Sequence, residues 1–382
     1  MSEKLSSNVT QKPVPQSLSY PFLRSEFLQA LEDSLSACVT TGWLPLHIEY
    51  HDARQQRTLP LYLKEHSMGE YVFDYAWANA YHQHGISYYP KLVSAVPFTP
   101  SVGPRLTGSP TNSGTIGTEI LTQICSHADT HNASSWHLLF PDSATIAVFN
   151  MPHLLHRTGV QYHWYNRDYA HFDDYLTRMT SRKRKMVRRE RKAVSAQNIV
   201  VSMELGDAIS PSVWKLFYQL YERTYAKRNG SHGYLTEAFF QQISGSMSNQ
   251  IAMAVARVNN EPVACALYFY DDACLYGRYW GSLGDYDCLH FELCYYSGIE
   301  FAIDKGLRRF DAGAQGEHKI VRGFEPVETT SVHWIRHDEF RKAIRRFTEQ
   351  EHLHIQDYIT QAKSLLPYKS VSYTHLTLPT KA

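Results

Sequence analysis

Short apolar runs alternate with polar turns along the chain, and the rhythm of those runs predicts most of its elements. Phe27, Leu28, Leu31 and Leu35 recur at helical spacing over residues 25–37. Residues 43–50 and 57–64 read as strands joined by a polar turn around His51, Asp52, Ala53 and Arg54. Another strand is expected over 91–98, beside Pro90 and Pro97, and the Gly- and Pro-rich stretch 101–110 must be loop. A helix over 116–128 and short strands at 136–140 and 159–164 follow.

The second half is clearer. Residues 199–205 predict a strand, and Pro211 opens a helix carrying Val213, Phe217, Leu220 and Tyr221, a place that proline tolerates. Residues 233–243 lead into a second helix. Three runs, 251–258, 263–270 and 273–280, form a meander with Asn259-Asn260 and Asp271-Asp272 at the tight connections. Leu289, Leu293, Tyr296, Ile299 and Ile303 share one helix face. Strands at 308–313 and 331–336 precede a last helix, which Asp338 is placed to cap and which carries Phe340, Ile344 and Phe347. Strand, two helices, meander, helix, strand, strand resembles one GNAT acyltransferase unit, and the first half repeats that alternation loosely. The expectation is an α/β fold (α+β, mixed sheets) of two tandem GNAT-like acyl-CoA N-acyltransferase units. Residues 1–20 would be a disordered lead, 21–165 the first unit and 166–369 the second.

A length of 382 residues agrees with two domains. Lys and Arg number 38 against 37 Asp and Glu, so no global field points to a nucleic acid or a membrane. The six cysteines form no CxxC pair, and histidines lack ligand spacing, so reduced cysteines and no metal are expected. A polar lead without an apolar core predicts no signal peptide, and no stretch approaches the roughly 20 apolar residues of a span. A cytoplasmic protein is expected. Residues 371–380 resemble the in-frame translation of a transposon-end sequencing adaptor, so 370–382 is expected to be non-native.

Global neutrality hides one strong bias. Residues 181–192 hold eight Lys or Arg and one Glu. On a helix these cations would cover most of the circumference. Arg182, Lys183, Arg184, Lys185, Arg188 and Arg189 would suit a tRNA backbone or an anionic membrane surface, although charge runs are also the composition of plain solvated helices.

Several phrases are distinctive: 84–100 around His84-Gly-Ile-Ser, Gly277-Arg-Tyr-Trp-Gly281, Leu289-His-Phe-Glu292, Gly313-Ala-Gln-Gly-Glu-His-Lys319 and Arg322-Gly-Phe324. With the basic run they resemble a bacterial family of N-acyltransferases described as FemAB-like or peptidoglycan biosynthesis proteins, over about residues 25–368. The resemblance implies transfer of an acyl or aminoacyl group to an amine and leaves the substrates open, a peptidoglycan precursor being one candidate acceptor. It implies no permanently bound cofactor. The acyl donor, aminoacyl-tRNA or acyl-CoA, is a co-substrate.

Such chemistry must accept a proton from the attacking ammonium and stabilise an oxyanion. His290, Glu292, Glu317 and His318 are therefore the catalytic candidates, Glu317 or His318 being the favoured base. Arg278, Tyr279, Trp280, Gln315, Lys319 and Arg322 are the substrate-binding candidates. Strand alternation would put Arg278 and Trp280 on one face and Tyr279 on the other. Asp311 could add a strand-end carboxylate, and Arg105, in the constrained loop after Pro97 and Pro100, a cation lining an interdomain cleft. If still extended, His290 and Glu292 share a face; if helical, they diverge.

One departure bears on the donor. The junction 281–290 lacks the glycine-rich phosphate loop of acetyl-CoA-binding GNAT proteins and carries Asp285 and Asp287, which would repel a pyrophosphate. An aminoacyl-tRNA donor fits better. The alternatives are an inactive binding module for RNA or cell-wall glycopeptide and a conventional acyl-CoA-dependent N-acetyltransferase.

Overall fold

The structure, a computed structural model, describes residues 19–52, 55–107, 113–230, 232–314 and 316–369. The expected non-native tail and residues 1–18 of the lead lie outside them. Tyr20, expected in the disordered lead, packs edge-on against Phe22 and Tyr276, with centroids 5.4 and 5.7 Å away.

In chain order, α1 (Ser25–Asp33) leads to β1 (Leu44–Pro45), the hairpin β2 (Ile48–Asp52) and β3 (Gln55–Leu59), and β4 (Tyr62–Lys64). Next come α2 (Tyr75–Gln83), β5 (Lys91–Ser94), α3 (Ser113–Thr130), β6 (Ser135–Leu139), α4 (Ser143–Val148) and β7 (Leu155–Tyr165). The second half runs α5 (Phe172–Arg178), α6 (Ser181–Ser195), β8 (Ile199–Leu205), α7 (Pro211–Asn229) and α8 (Glu237–Ser246) into the meander β9 (Ile251–Val258), β10 (Glu261–Tyr270) and β11 (Cys274–Ser282). Then α9 (Leu289–Phe291) passes through a π turn (Glu292–Tyr296) into α10 (Ser297–Asp304). The chain closes with β12 (Arg309–Asp311), a 3-10 turn (Glu317–Arg322), β13 (Glu325–Ile335) and α11 (Asp338–Ser364).

The second-half elements follow the sequence expectation, except that β13 starts six residues ahead of the strand expected at 331–336 and α5 has no counterpart in it. The differences lie mainly in the first half. Each of the two early strands breaks in two; Pro60, which has no N–H for a ladder, separates β3 from β4. Helix α2 buries only Trp77 and Tyr81, too thin a stripe to read from spacing. At the other end, Asp338 lies inside the first turn of α11 and the cap position is His337.

Among the described residues, eleven strands form one mixed sheet in the order β1-β4-β5-β6-β13-β7-β12-β11-β10-β9-β8, with β2 and β3 apart. The same pattern occurs twice. In the first half β4 is antiparallel to β5, β5 is parallel to β6, and an antiparallel strand follows. In the second half β10, β11 and β12 repeat it, β11 and β12 being the parallel pair. The closing strands are exchanged. β13, from the end of the chain, lies beside β6, and β7, from the end of the first half, lies beside β12. The two pair antiparallel in the middle, from Glu325↔His163 to His333↔Leu155.

Side chains on β9 and β10 alternate between two cores. Met253, Val255, Cys265, Leu267 and Phe269 pack on one face with Phe217, Phe239 and Phe27 from α7, α8 and α1. Ala252, Ala254, Ala256, Ala264 and Ala266 face the other side, where small residues let the π turn and α10 approach with Leu293, Tyr296 and Ile299. Burying each large side chain stabilises by about 1.5–3 kcal/mol.

A parallel pair lacks the next ladder partner where its strands diverge. Past β5 and β6 the chain fills that gap with its own loop. The Gly103 N–H donates to Phe140 O at 3.2 Å, and the Asp142 N–H donates to Gly103 O at 2.9 Å. Arg105 is fully buried there, donating to the carbonyls of Leu139, Gly103, Pro104 and Ser101 at 2.7–3.0 Å. This corrects its expected role: Arg105 is satisfied by backbone and does not reach a cleft. Arg105→Ala is expected to lower stability by about 3–5 kcal/mol in a denaturant melt, because it strips four buried acceptors of a charged donor.

Candidate active site

Past β11 and β12 the corresponding divergence is open. A cleft of 770 Å³ enters it, lined by Gly277–Trp280 on one side and by Ala312, Gly313, Ala314, Gly316, His318 and Lys319 on the other. The cleft reaches both faces of the sheet. Tyr221, Tyr279 and Phe98 belong to the core on one face, and Tyr268, Tyr295, Trp280 and Cys294 to that on the other.

The waist of the cleft is built on a buried carboxylate. Asp311, 1% exposed, ends β12. The Gly313 N–H donates to its Oδ1 at 2.9 Å, and the Ser101 hydroxyl donates to its Oδ2 at 2.7 Å. Arg278 Nη2 lies 3.4 Å from the same Oδ2, and His163 Nε2 lies 4.0 Å from Oδ1. Burial alone would raise this carboxyl. Arg278 leads the groups that together hold it well below the usual carboxylate range. Burial lowers His163 to about 4, which leaves it neutral at pH 7.

Arg278 occupies this place because β11 bulges. Its neighbours pair as Tyr268↔Gly277 and Leu267↔Tyr279, so Arg278 is the extra residue. The bulge overturns the expected alternation. Arg278 lies over the rings of Phe22 and Tyr276, at 4.7 and 5.7 Å, on the face that also holds Tyr279; Trp280 packs on the opposite face.

Lys319 stands across from it. Its Nζ donates to Gly313 O at 2.7 Å, and its residue is 2% exposed. Burial, with a smaller push from Arg278, lowers its pKa from 10.5 to about 8, against the opposing pull of Asp311 and Cys294. A lysine near neutrality at working pH can both accept and return a proton. Beside it, His318 Nε2 and the Tyr295 hydroxyl are 2.8 Å apart, and the His290 ring stacks obliquely on Trp280 with centroids 4.8 Å apart.

One wall comes from the first half of the chain. The buried Lys91 donates to Glu70 at 2.8 Å, to Ser67 at 2.7 Å and to Asp74. With Glu70 and Asp74 held inward, the strap between them presents Tyr71 and Phe73 to the cleft, and Tyr75 follows. Tyr71, Tyr225 and Tyr234 continue this wall, with 3.4 Å between the hydroxyls of Tyr71 and Tyr225. Sequence reading missed this wall, since no periodicity marks 67–75.

Three expected site residues point elsewhere. Glu317 is exposed and accepts from the Tyr358 hydroxyl on α11 at 2.7 Å, outside the cleft lining. Glu292 turns back to Arg191, which donates to it at 2.9 and 3.1 Å; His290 and Glu292 thus diverge, as a helical start requires. Arg322 donates to Glu190 at 2.8 Å and to His318 O at 2.8 Å, with its guanidinium 3.5 Å over Phe291. It braces the His318 turn from beneath. Gln315 lies outside the described residues.

The basic run forms α6, and the cations do not encircle it. Val187, Glu190 and Val194 are buried, and Arg191 pairs inward with Glu292 and Glu300. Arg182, Lys185, Arg188, Arg189 and Lys192 remain exposed, and Lys183 and Arg184 are half-buried. Arg188 pairs at the surface with Asp173. This basic stripe lies on the Trp280 and His290 side of the sheet, since the inner face of α6 packs in that core. Among the described residues no group of three His, Cys, Asp or Glu could hold a metal ion, and no helix is long and apolar enough to cross a membrane.

Two diverging parallel pairs in one sheet, the second holding a cleft with a lysine, an arginine and a buried carboxylate at its waist, define a double GNAT-like protein. The chain belongs to the FemAB-like family, described as peptidoglycan biosynthesis/recognition, which it matches over residues 8–370. Among solved structures it is similar to FemX, with 12% identity, a TM-score of 0.53, and coverage of 86% of this chain and 95% of that one. It is also similar to L-PGS from Bacillus licheniformis, with 9% identity, a TM-score of 0.50, and coverage of 94% and 100%. At such identities the likeness is one of fold. No curated protein matches the chain by sequence.

Proposed function

We propose that this protein transfers an aminoacyl group from an aminoacyl-tRNA to the amine of a peptidoglycan precursor. The observation that carries the reading is the cleft that passes through the sheet, with Lys319 and Arg278 at its waist. Such a passage lets donor and acceptor enter from opposite faces and meet at one point. The acceptor nitrogen attacks the ester carbonyl, the C–N bond forms, and the C–O bond to the ribose breaks. Neutral Lys319 takes the proton from the acceptor ammonium and returns one to the leaving ribose oxygen. Arg278, oriented by Asp311, faces the negative charge that develops on the carbonyl oxygen. His318 and His290 flank the donor side. The donor arrives and departs as a co-substrate, so no cofactor is retained.

The choice of tRNA over coenzyme A rests on charge. The exposed stripe of α6 suits a phosphate backbone, whereas Asp285 and Asp287 stand where a pyrophosphate would need donors. A donor panel tests the reading: the purified protein with precursor and either charged tRNA or acyl-CoA, followed by the mass of the acceptor. Aminoacylated precursor from the tRNA arm supports it; product from acyl-CoA alone, or RNA binding without turnover, overturns it.

A prediction concerns α6 itself. Replacing Arg182, Lys185, Arg188 and Arg189 together by Gln is expected to weaken RNA binding and to flatten the slope of log affinity against log salt by about three to four, near 0.9 per lost phosphate contact. Arg191→Gln is expected instead to lower stability, because it strands the buried Glu292. An unchanged salt slope in the fourfold variant would remove the stripe from RNA binding.

A further inference from the structure

Trp280 stands where three cavities meet. Its ring lines the main cleft, a 410 Å³ hollow bounded by Arg223 and Lys227 of α7, and a 260 Å³ hollow under residues 284–290. It is half-buried and stacks obliquely on His290 at 4.8 Å. Its indole N–H is a buried donor with no hydrogen-bond partner among the described residues. An unsatisfied donor in a ring that borders three cavities is an arrangement suited to a ligand acceptor.

The charges around it narrow the ligand. Asp285, 3.5 Å from Lys227 Nζ, and Asp287 line the hollow beyond Trp280, and Asp287 is the carboxylate set away from that lysine's hollow. Carboxylates repel phosphate but accept hydrogen bonds from the exocyclic amine of a base. A flat, amine-bearing, uncharged ring therefore suits the space better than a pyrophosphate. Trp280 also lines the same cleft as Arg278 and Lys319, so a nucleoside seated on it keeps the ester of its own ribose within that cleft. In coenzyme A the reacting thioester lies at the far end of the pantetheine arm, remote from adenine.

We propose that Trp280 and His290 form the seat of the donor's terminal adenosine, the adenine stacking on the indole with its amine towards Asp285 and Asp287. The inference rests on the aminoacyl-tRNA reading above and adds to it the nucleoside that positions the ester at Arg278 and Lys319. The phosphates behind that nucleoside then lead out towards the basic stripe of α6, on the same face of the sheet.

The probe is a minihelix RNA whose 3′ end is CC followed by 2-aminopurine riboside, a fluorescent adenosine analogue quenched by stacking. With the wild-type protein its fluorescence should fall on binding, and a minihelix ending in CC alone should bind about tenfold or more weakly, the usual worth of one base stacked on an aromatic ring. Trp280→Ala should abolish the quench and the difference between the two RNAs while retaining the binding that α6 provides. Trp280→Phe should keep part of the quench, which separates loss of stacking from loss of fold. Coenzyme A should not restore the fluorescence at concentrations where an unlabelled CCA-ended minihelix does. A quench undiminished in Trp280→Ala, or none in a wild-type protein that still transfers from charged tRNA, would overturn the seat alone. Absence of both RNA binding and transfer would remove the tRNA reading with it.

Discussion

Lys319→Ala is expected to lower kcat/KM for transfer by about 100-fold or more, with the protein still folded. Loss of proton transfer by a placed side chain costs about 10²–10⁴ in rate. The pH profile separates this role from simple binding. Because burial brings Lys319 down to about 8, its neutral form grows as pH rises through 8, and the wild-type rate should rise with it. The alanine variant should lack that limb. Lys319→Arg should not restore it, since a guanidinium stays protonated throughout. Stability offers a second readout with its sign fixed. Between pH 8 and 10.5 the unfolded chain binds more protons at this lysine than the native one, so wild-type stability should gain with pH across that window. Lys319→Met should remove the gain. A wild-type rate flat from pH 7 to 9, with full activity in Lys319→Ala, would take the residue out of the mechanism.

The second large effect is expected at Asp311. Asp311→Ala should destabilise the protein by about 3–5 kcal/mol, because it leaves Arg278, whose side chain is 3% exposed, buried and unpaired. Asp311→Asn keeps the volume and an acceptor for the Gly313 N–H, so it should lose less stability while still losing transfer at least tenfold. The acid limb of wild-type stability should reflect the same group. Its native pKa is depressed, so its contribution is complete above the ordinary value of 3.8 and is lost as pH falls below it. Equal melting temperatures for the wild type and both variants would show that the carboxylate does not hold Arg278.

What was legible in the sequence depends on how far each cause lies along the chain. The meander, α7 and the closing helices carry their own periodicity. Lys319 and Asp311 could be placed near a site because a strand end and a Gly-flanked loop are local signals. Arg322 belongs to the same loop, yet its partner Glu190 is 132 residues away, inside a run that reads as uniformly basic. Arg191 is hidden in the same run. The orientation of Arg278 depends on a bulge visible only in the pairing of β10 with β11. Ser101, which holds Asp311 across 210 residues, sits in a loop whose composition says only that it turns. Glu317 lies away from the cleft lining for a similar reason: Tyr358, on the last helix, draws it outward.

The exchange of closing strands has a consequence for how the chain is made. β6 ends at Leu139, but the strand that covers it does not begin until Glu325. During synthesis the first half therefore carries a bare, apolar strand edge while nearly two hundred further residues emerge, and bare edges are templates for wrong pairing. Contacts so distant in sequence also make for slow closure of the sheet. A nascent chain stalled before residue 325 should be bound by chaperones and open to proteases along β6 and β7, and release of β13 should protect both halves at once.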